Sequence, residues 1–295
     1  MKIVPDLGWE VALQSVTTTF YYFCGLFFLF LAWGASKTRG YSTPTSNDSS
    51  VTTSVSYVTA QFDWWNKNIG SDVWRGKRVL ELCPGDSLGV GVLALKNGAT
   101  SYTAFDMFKL EKPQNTSAVI GRDEAIGERL VYLVDPNFRP SRELAGQKFD
   151  LIISNAAFEH FNNPEQTIRD IFELAAEGCV TAHVVDFQTH SRWIRDYDPN
   201  NIYRYSRWLY RLFSFPGQPN RWRPGKLAAA FNQAGWKDVR IVHQTNVDSS
   251  PHHLAGLDAE FAKTSDMRIL NCIMVATRYH RRMLALQTGE TTSPS

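Results

Sequence analysis

Short apolar runs alternate along most of this chain with stretches whose apolar positions recur every three or four residues. The short runs predict strands at 78–82, 102–106, 130–134, 150–154, 180–187, 239–242 and 269–277. Between them the spacing predicts helices at 89–97, at 164–176 and at 226–234, the last ended by Gly235; Ile168, Ile171, Phe172 and Ala175 share one face of the second. A further helix is predicted over 57–73, where Trp64, Trp65 and Ile69 fall on one side. Strands and helices alternating in this way imply an α/β fold, a Rossmann-like, mainly parallel seven-stranded sheet with helices on both faces. No internal repeat is visible.

The amino terminus follows a different pattern. From Val11 to Ser36 there is no charged residue, and Phe20 to Trp33 is almost wholly apolar. About 20 such residues cross the hydrocarbon core of a bilayer as a helix. Tyr21, Tyr22 and Trp33 suit the interface, and Lys37 and Arg39 after the span predict that the rest of the chain faces the cytoplasm. A cleaved signal peptide is the alternative, with a leader that is long and acidic for that role. The expected organisation is a membrane anchor over 1–40, a Ser/Thr-rich linker over 41–56, a catalytic domain over 57–285 and a disordered tail over 286–295.

The 295 residues carry a net charge of only +2, so bulk charge gives no reason to expect a nucleic-acid partner. Cys24, Cys83, Cys179 and Cys272 lie far apart in apolar runs and form no CxxC pair. They read as buried, reduced thiols, and no metal is expected.

Two motifs carry chemistry. The first strand runs through Val79-Leu80-Glu81-Leu82 into Cys83-Pro84-Gly85-Asp86, and Asp106 closes the second strand. A glycine-bearing turn opening a helix lets backbone approach a ligand, and a carboxylate on the next strand can accept ribose hydroxyls. The second is Phe149-Asp150-Leu151-Ile152-Ile153-Ser154-Asn155-Ala156-Ala157-Phe158-Glu159-His160, a buried strand with small residues at its carboxyl end, where ligands of open α/β sheets bind. Together they resemble the class I S-adenosylmethionine-dependent methyltransferases, of the type 11 kind, over roughly residues 75–278. The departure is Cys83, where the family has glycine.

The resemblance implies S-adenosylmethionine as cofactor and a final strand inserted antiparallel. It places Cys83, Pro84, Gly85 and Asp86 at the methionine end, with Glu81 orienting the turn or reaching the ammonium through water. Asp106 would hold the ribose hydroxyls, Met107 would lie against the adenine, and Asn155 and Ala156 would close the pocket beside the sulfonium. Asp135 could meet the adenine amino group, although a turn residue before Pro136 is the plainer reading. For an O or N acceptor that must lose a proton, His190 is the preferred general base and His160 the second candidate, with Asp186 or Glu159 as orienters. Residues 191–226 interleave Arg192, Arg195, Arg204, Arg207, Arg211, Arg221 and Arg223 with aromatic residues. That insertion suits a small-molecule or lipid- or glycan-linked acceptor, or anionic headgroups, or simply arginines covering apolar surface. Two rivals stand: a non-catalytic domain that keeps the fold, and a nicotinamide-dependent oxidoreductase.

Overall fold

The structure, a computed structural model, describes residues 7–39, 51–120, 124–248 and 253–279. Seven strands form one sheet: β1 (Arg78–Leu82), β2 (Ser101–Asp106), β3 (Leu130–Val134), β4 (Phe149–Asn155), β5 (Ala175–Asp186), β6 (Lys237–Asn246) and β7 (Ile269–Thr277). Their order is β3-β2-β1-β4-β5-β7-β6. The pairs from β3 to β5 are parallel, and β7 lies antiparallel between β5 and β6. The expected sheet and its antiparallel last strand are both present.

The central strands are apolar on both faces because both are covered. In β1, Leu80 and Leu82 pack with Ile152, Ile168 and Phe231 on one side, while Val79 joins Trp65, Leu151 and Ile153 on the other. Among the described residues the helices are α1 (Leu7–Arg39), α2 (Val51–Ile69), α3 (Gly89–Lys96), α4 (Pro113–Ile120), α5 (Pro140–Glu143), α6 (Pro164–Leu174), α7 (Arg192–Arg195), α8 (Arg207–Leu212), α9 (Pro224–Gln233) and α10 (Ala259–Ala262). Helices α2, α3 and α4 cover the Val79 side, and α6 and α9 the other. Helix α6 starts where Asn163 Oδ1 accepts the Gln166 N–H and Pro164 takes the first turn.

Several boundaries differ from expectation. Helix α2 begins at Val51, inside the segment read as a linker. Residues 40–50 and the tail from 280 lie outside the described residues. Helix α6 ends at Leu174 because Ala175 turns extended and starts β5. Helix α4 and the short helices of the insertion were not foreseen, being too polar or too short to show a period.

Helix α1 packs one face on that insertion. Leu29, Tyr22 and Leu26 meet Ile202, Tyr203 and Tyr205. Asn201 Nδ2 donates to the Tyr21 carbonyl (2.8 Å) and the Tyr205 hydroxyl to the Tyr22 carbonyl (3.2 Å). Gly25 permits this approach: a Cβ there would overlap the Asn201 amide and the Tyr205 hydroxyl. Phe20, Phe23, Phe27 and Leu31 of the same helix are exposed.

Candidate active site

The strand order reverses at β1, which lies between β2 and β4, and ligands of such sheets bind outside the carboxyl ends of the strands at that reversal. A cavity of about 770 Å³ opens there. Its wall begins with the turn after β1. Cys83 takes a left-handed backbone (φ 54°) and its N–H donates to the Phe105 carbonyl (2.8 Å). Such a conformation costs a non-glycine residue roughly 1–2 kcal/mol. Cys83 thus carries a side chain on a backbone conformation that glycine adopts freely. Gly85 also has positive φ (80°), and a Cβ there would meet nothing within 4 Å. The turn is braced by Lys112, just before α4, which pairs with Asp86 at 3.3 Å, and from α4 by Thr116 Oγ1, which accepts the Leu88 N–H at 3.1 Å.

Three carboxyl groups around the cavity are buried. Asp106 is 1% exposed; Oδ1 accepts the Phe108 N–H (3.1 Å), and Oδ2 has no hydrogen-bond partner. Burial pushes its pKa up to about 6, against the pull of the Phe108, Met107 and Gly85 backbone N–H groups. Glu81 accepts the Tyr102 hydroxyl (2.8 Å), yet burial carries it up to about 7, with the charge of Asp106 adding to the rise. Glu159 is raised well above the carboxylate range, by burial first and the nearby Asp186 charge second.

The opposite wall comes from β4 and β5. Asn155 and Ala156 end β4, and Ala156 is again left-handed (φ 49°), its N–H bonded to the Val184 carbonyl (3.0 Å). Two left-handed non-glycine residues facing one cavity mark local strain of the kind found at functional sites. His160 follows in the short turn Phe158–His160, and His190 follows β5. Their rings meet edge to face with centroids 4.8 Å apart. His160 Nδ1 lies 2.6 Å from the Gly217 carbonyl, and His190 Nδ1 lies 2.9 Å from the Gln188 carbonyl. Burial lowers both, His160 to about 4 with His190 adding repulsion.

All the residues singled out from the sequence as Glu81, Cys83–Asp86, Asp106, Met107, Asn155, Ala156, His160 and His190 line this one cavity. Asp135 does not; its carboxylate accepts the Asn137 and Arg139 N–H groups as a turn residue. The expected orienters also differ. Asp186 pairs with Arg195 (2.6 Å), Glu159 bonds neither histidine, and backbone carbonyls hold both rings. In the insertion, Arg204 is buried against Asp198 (2.7 Å), Arg221 bonds the Tyr205 carbonyl (2.6 Å), and Arg223 reaches Asp266 and the Ile269 carbonyl. Those three arginines hold the fold, while Arg192, Arg207 and Arg211 are exposed. Sequence reasoning missed Tyr57 and Gln61, which α2 brings over the cavity, and the segment Ser214–Gly217 that closes its far side. A larger cleft of about 850 Å³ is lined by Arg207, Arg211, Arg221 and Arg223 of the insertion, with Lys226 and Lys263, and contains none of the cofactor-binding or catalytic candidates.

The chemistry of this cavity suits S-adenosylmethionine. An unpartnered buried carboxylate oxygen on Asp106 fits ribose hydroxyl donors, and the open face of Gly85 admits a ligand close to backbone. The raised carboxyls Glu81 and Asp106 favour a ligand that brings positive charge. Fold and site thus define a class I S-adenosylmethionine-dependent methyltransferase, whose cofactor is S-adenosylmethionine. A methyltransferase domain family matches residues 67–241, more than half of the chain, and the chain belongs to that family. No curated relative matches the sequence. Among solved structures, an O-methyltransferase family protein from Burkholderia thailandensis aligns at TM-score 0.48 and 12% identity, covering 78% of this chain. The chain spans 59% of that protein's length. An S-adenosylmethionine-dependent methyltransferase from Mesorhizobium loti aligns at TM-score 0.42 and 16% identity, covering 69% of this chain and 92% of its own. Family membership rests on the sequence match.

Proposed function

We propose that this protein is an enzyme that methylates an oxygen or nitrogen of a lipid- or glycan-linked acceptor at a membrane surface. The carrying observation is one cavity lined by two chemically different sets of groups. One set is Asp106, Glu81 and the turn from Cys83 to Asp86; the other is the pair of histidines, which burial keeps neutral. In this reading Asp106 holds the ribose, Met107 lies along the adenine, and Gly85 with its neighbours receives the methionine moiety. Asn155 and Ala156 border the reacting end. The bound cofactor supplies an electrophilic methyl group, so the protein's task is chiefly alignment of the acceptor. We assign His190, with His160 beside it, to the acceptor's proton. A carbonyl only accepts, so each Nδ1 carries hydrogen and each Nε2 keeps a lone pair.

The membrane assignment is supported by α1, in which Val16–Thr38 is long and apolar enough to cross a bilayer. Lys37 and Arg39 after it favour a cytoplasmic catalytic domain. The middle of α1 packs on the insertion, so α1 crosses a bilayer only if that contact opens; docked, it keeps Phe20, Phe23 and Phe27 exposed for a membrane surface, as the insertion keeps Trp193, Trp208 and Leu212 beside Arg207 and Arg211. The test is transfer of tritiated methyl from S-adenosylmethionine in the presence of a membrane extract, with products partitioned between chloroform and water. Label in a chloroform-soluble or membrane-bound glycan product is expected. Label confined to a water-soluble small molecule sinks the acceptor class, and no label above a boiled control sinks the activity.

A further inference from the structure

His160 and His190 line the cavity, and the buried Glu159 side chain, which is not part of the lining, converges with them from behind. One donor atom each from Glu159, His160 and His190 lies within 4.8 Å of the other two. Glu159 is 4% exposed, and neither of its carboxylate oxygens has a hydrogen-bond partner. The N–H groups of Glu159 itself and of Asp186 stand close enough to favour the carboxylate electrostatically, but without hydrogen-bond geometry. A buried carboxylate so placed is costly unless a cation meets it. Both histidines point unprotonated Nε2 lone pairs away from the carbonyls that hold them, and such backing of Nδ1 is how proteins orient metal-binding imidazoles.

We propose that Glu159, His160 and His190 bind one divalent transition-metal ion, Zn²⁺ or a neighbour such as Mn²⁺ or Fe²⁺. The proposal rests on the reading of the cavity as a methyl-transfer site and names how its acceptor end works. Two imidazoles and one carboxylate are the ligand set of open catalytic sites for these ions, whereas Mg²⁺ and Ca²⁺ favour all-oxygen shells. Donors around a tetrahedral ion lie roughly 3.4 Å apart, so side-chain rotations of about 1 Å close the observed triangle. The remaining positions on the ion would take an acceptor hydroxyl. Coordination makes that hydroxyl acidic near neutral pH, and its proton passes to solvent. With the ion in place both Nε2 lone pairs are engaged by it, so the histidines act on the acceptor's proton through the cation and not as bases themselves.

The test uses the untagged full-length chain in detergent, stripped with a chelator and titrated with CoCl₂ as a visible-absorbing probe, then with ZnCl₂ as competitor. S-adenosylhomocysteine binding is measured on the same samples. One Co²⁺ per chain, displaced by Zn²⁺, is expected, with binding weakened at least tenfold in Glu159→Gln and in His190→Gln. No Co²⁺ site in the wild-type chain overturns the proposal, as does unaltered Co²⁺ affinity in both variants. If one variant fails to fold, the other and the wild-type titration decide. Retained S-adenosylhomocysteine binding without a Co²⁺ site removes the metal alone; lost S-adenosylhomocysteine binding removes the underlying reading of the cavity.

Discussion

Replacing Asp106 with asparagine separates the proposed cofactor role of this carboxylate from its cost to the fold. The isolated chain holds Asp106 with a pKa of about 6, above the usual 3.8, because burial disfavours the charge. A rise of that size penalises the folded, ionised state by about 3 kcal/mol at neutral pH. The sign is that of a raised acid: the penalty is absent below about pH 4 and grows as pH climbs to about 6. Asparagine keeps an oxygen for the Phe108 N–H and carries no charge, so the melting temperature of the ligand-free protein should hold or rise at pH 7.5. Ligand binding should move the other way. Loss of charge-assisted hydrogen bonds to the ribose costs about 2 kcal/mol, or about thirtyfold in affinity for S-adenosylhomocysteine. In the wild-type chain that affinity should fall with acid below about pH 6, where Asp106 takes up a proton, and Asp106→Asn should flatten this fall. Calorimetric titration from pH 5 to 8 with parallel melts reads all three effects. An affinity change under threefold, or an equally steep fall in the variant, would refute the assignment.

Gly85→Ala forces a side chain onto a backbone at φ 80°, facing the cavity, and should weaken S-adenosylhomocysteine at least tenfold in calorimetry without unfolding the chain; unchanged affinity would place the ligand elsewhere. Arg204→Ala leaves Asp198 charged and buried without its partner. A loss of roughly 3–5 kcal/mol is expected, seen as a melting temperature about 10 °C lower, and a loss under 1 kcal/mol would contradict the structural role given to this arginine. Gly25→Leu should part α1 from the insertion. Hydrogen exchange of residues 201–205 should accelerate at least tenfold while S-adenosylhomocysteine affinity stays constant; equal protection would show that the contact is not held in solution.

The cofactor half was legible because its signals are local. A short apolar strand buried on both faces, a glycine turn and a carboxylate closing the next strand are each contained in a few residues, and the parallel sheet brings them together without help from distant segments. Cys83 was visible as a departure, but only the backbone shows that it adopts the left-handed conformation glycine would have taken. The acceptor half was less legible. His160 and His190 are 30 residues apart in sequence, and nothing local states that their rings touch or that carbonyls from Gly217 and Gln188 fix them. Glu159 is the sharper case. In sequence it reads as a partner for a histidine, whereas in the fold it is buried with its oxygens unpaired. The arginine-rich insertion misled in part because charge in a sequence looks solvated, and Arg204, Arg221 and Arg223 are instead enclosed by long-range partners.

The most direct test of the central claim is calorimetric titration of the full-length protein in detergent with S-adenosylmethionine, S-adenosylhomocysteine and NAD. The account predicts one site with micromolar affinity for the first two and no heat with NAD. Binding of NAD, or of none of the three, would contradict it.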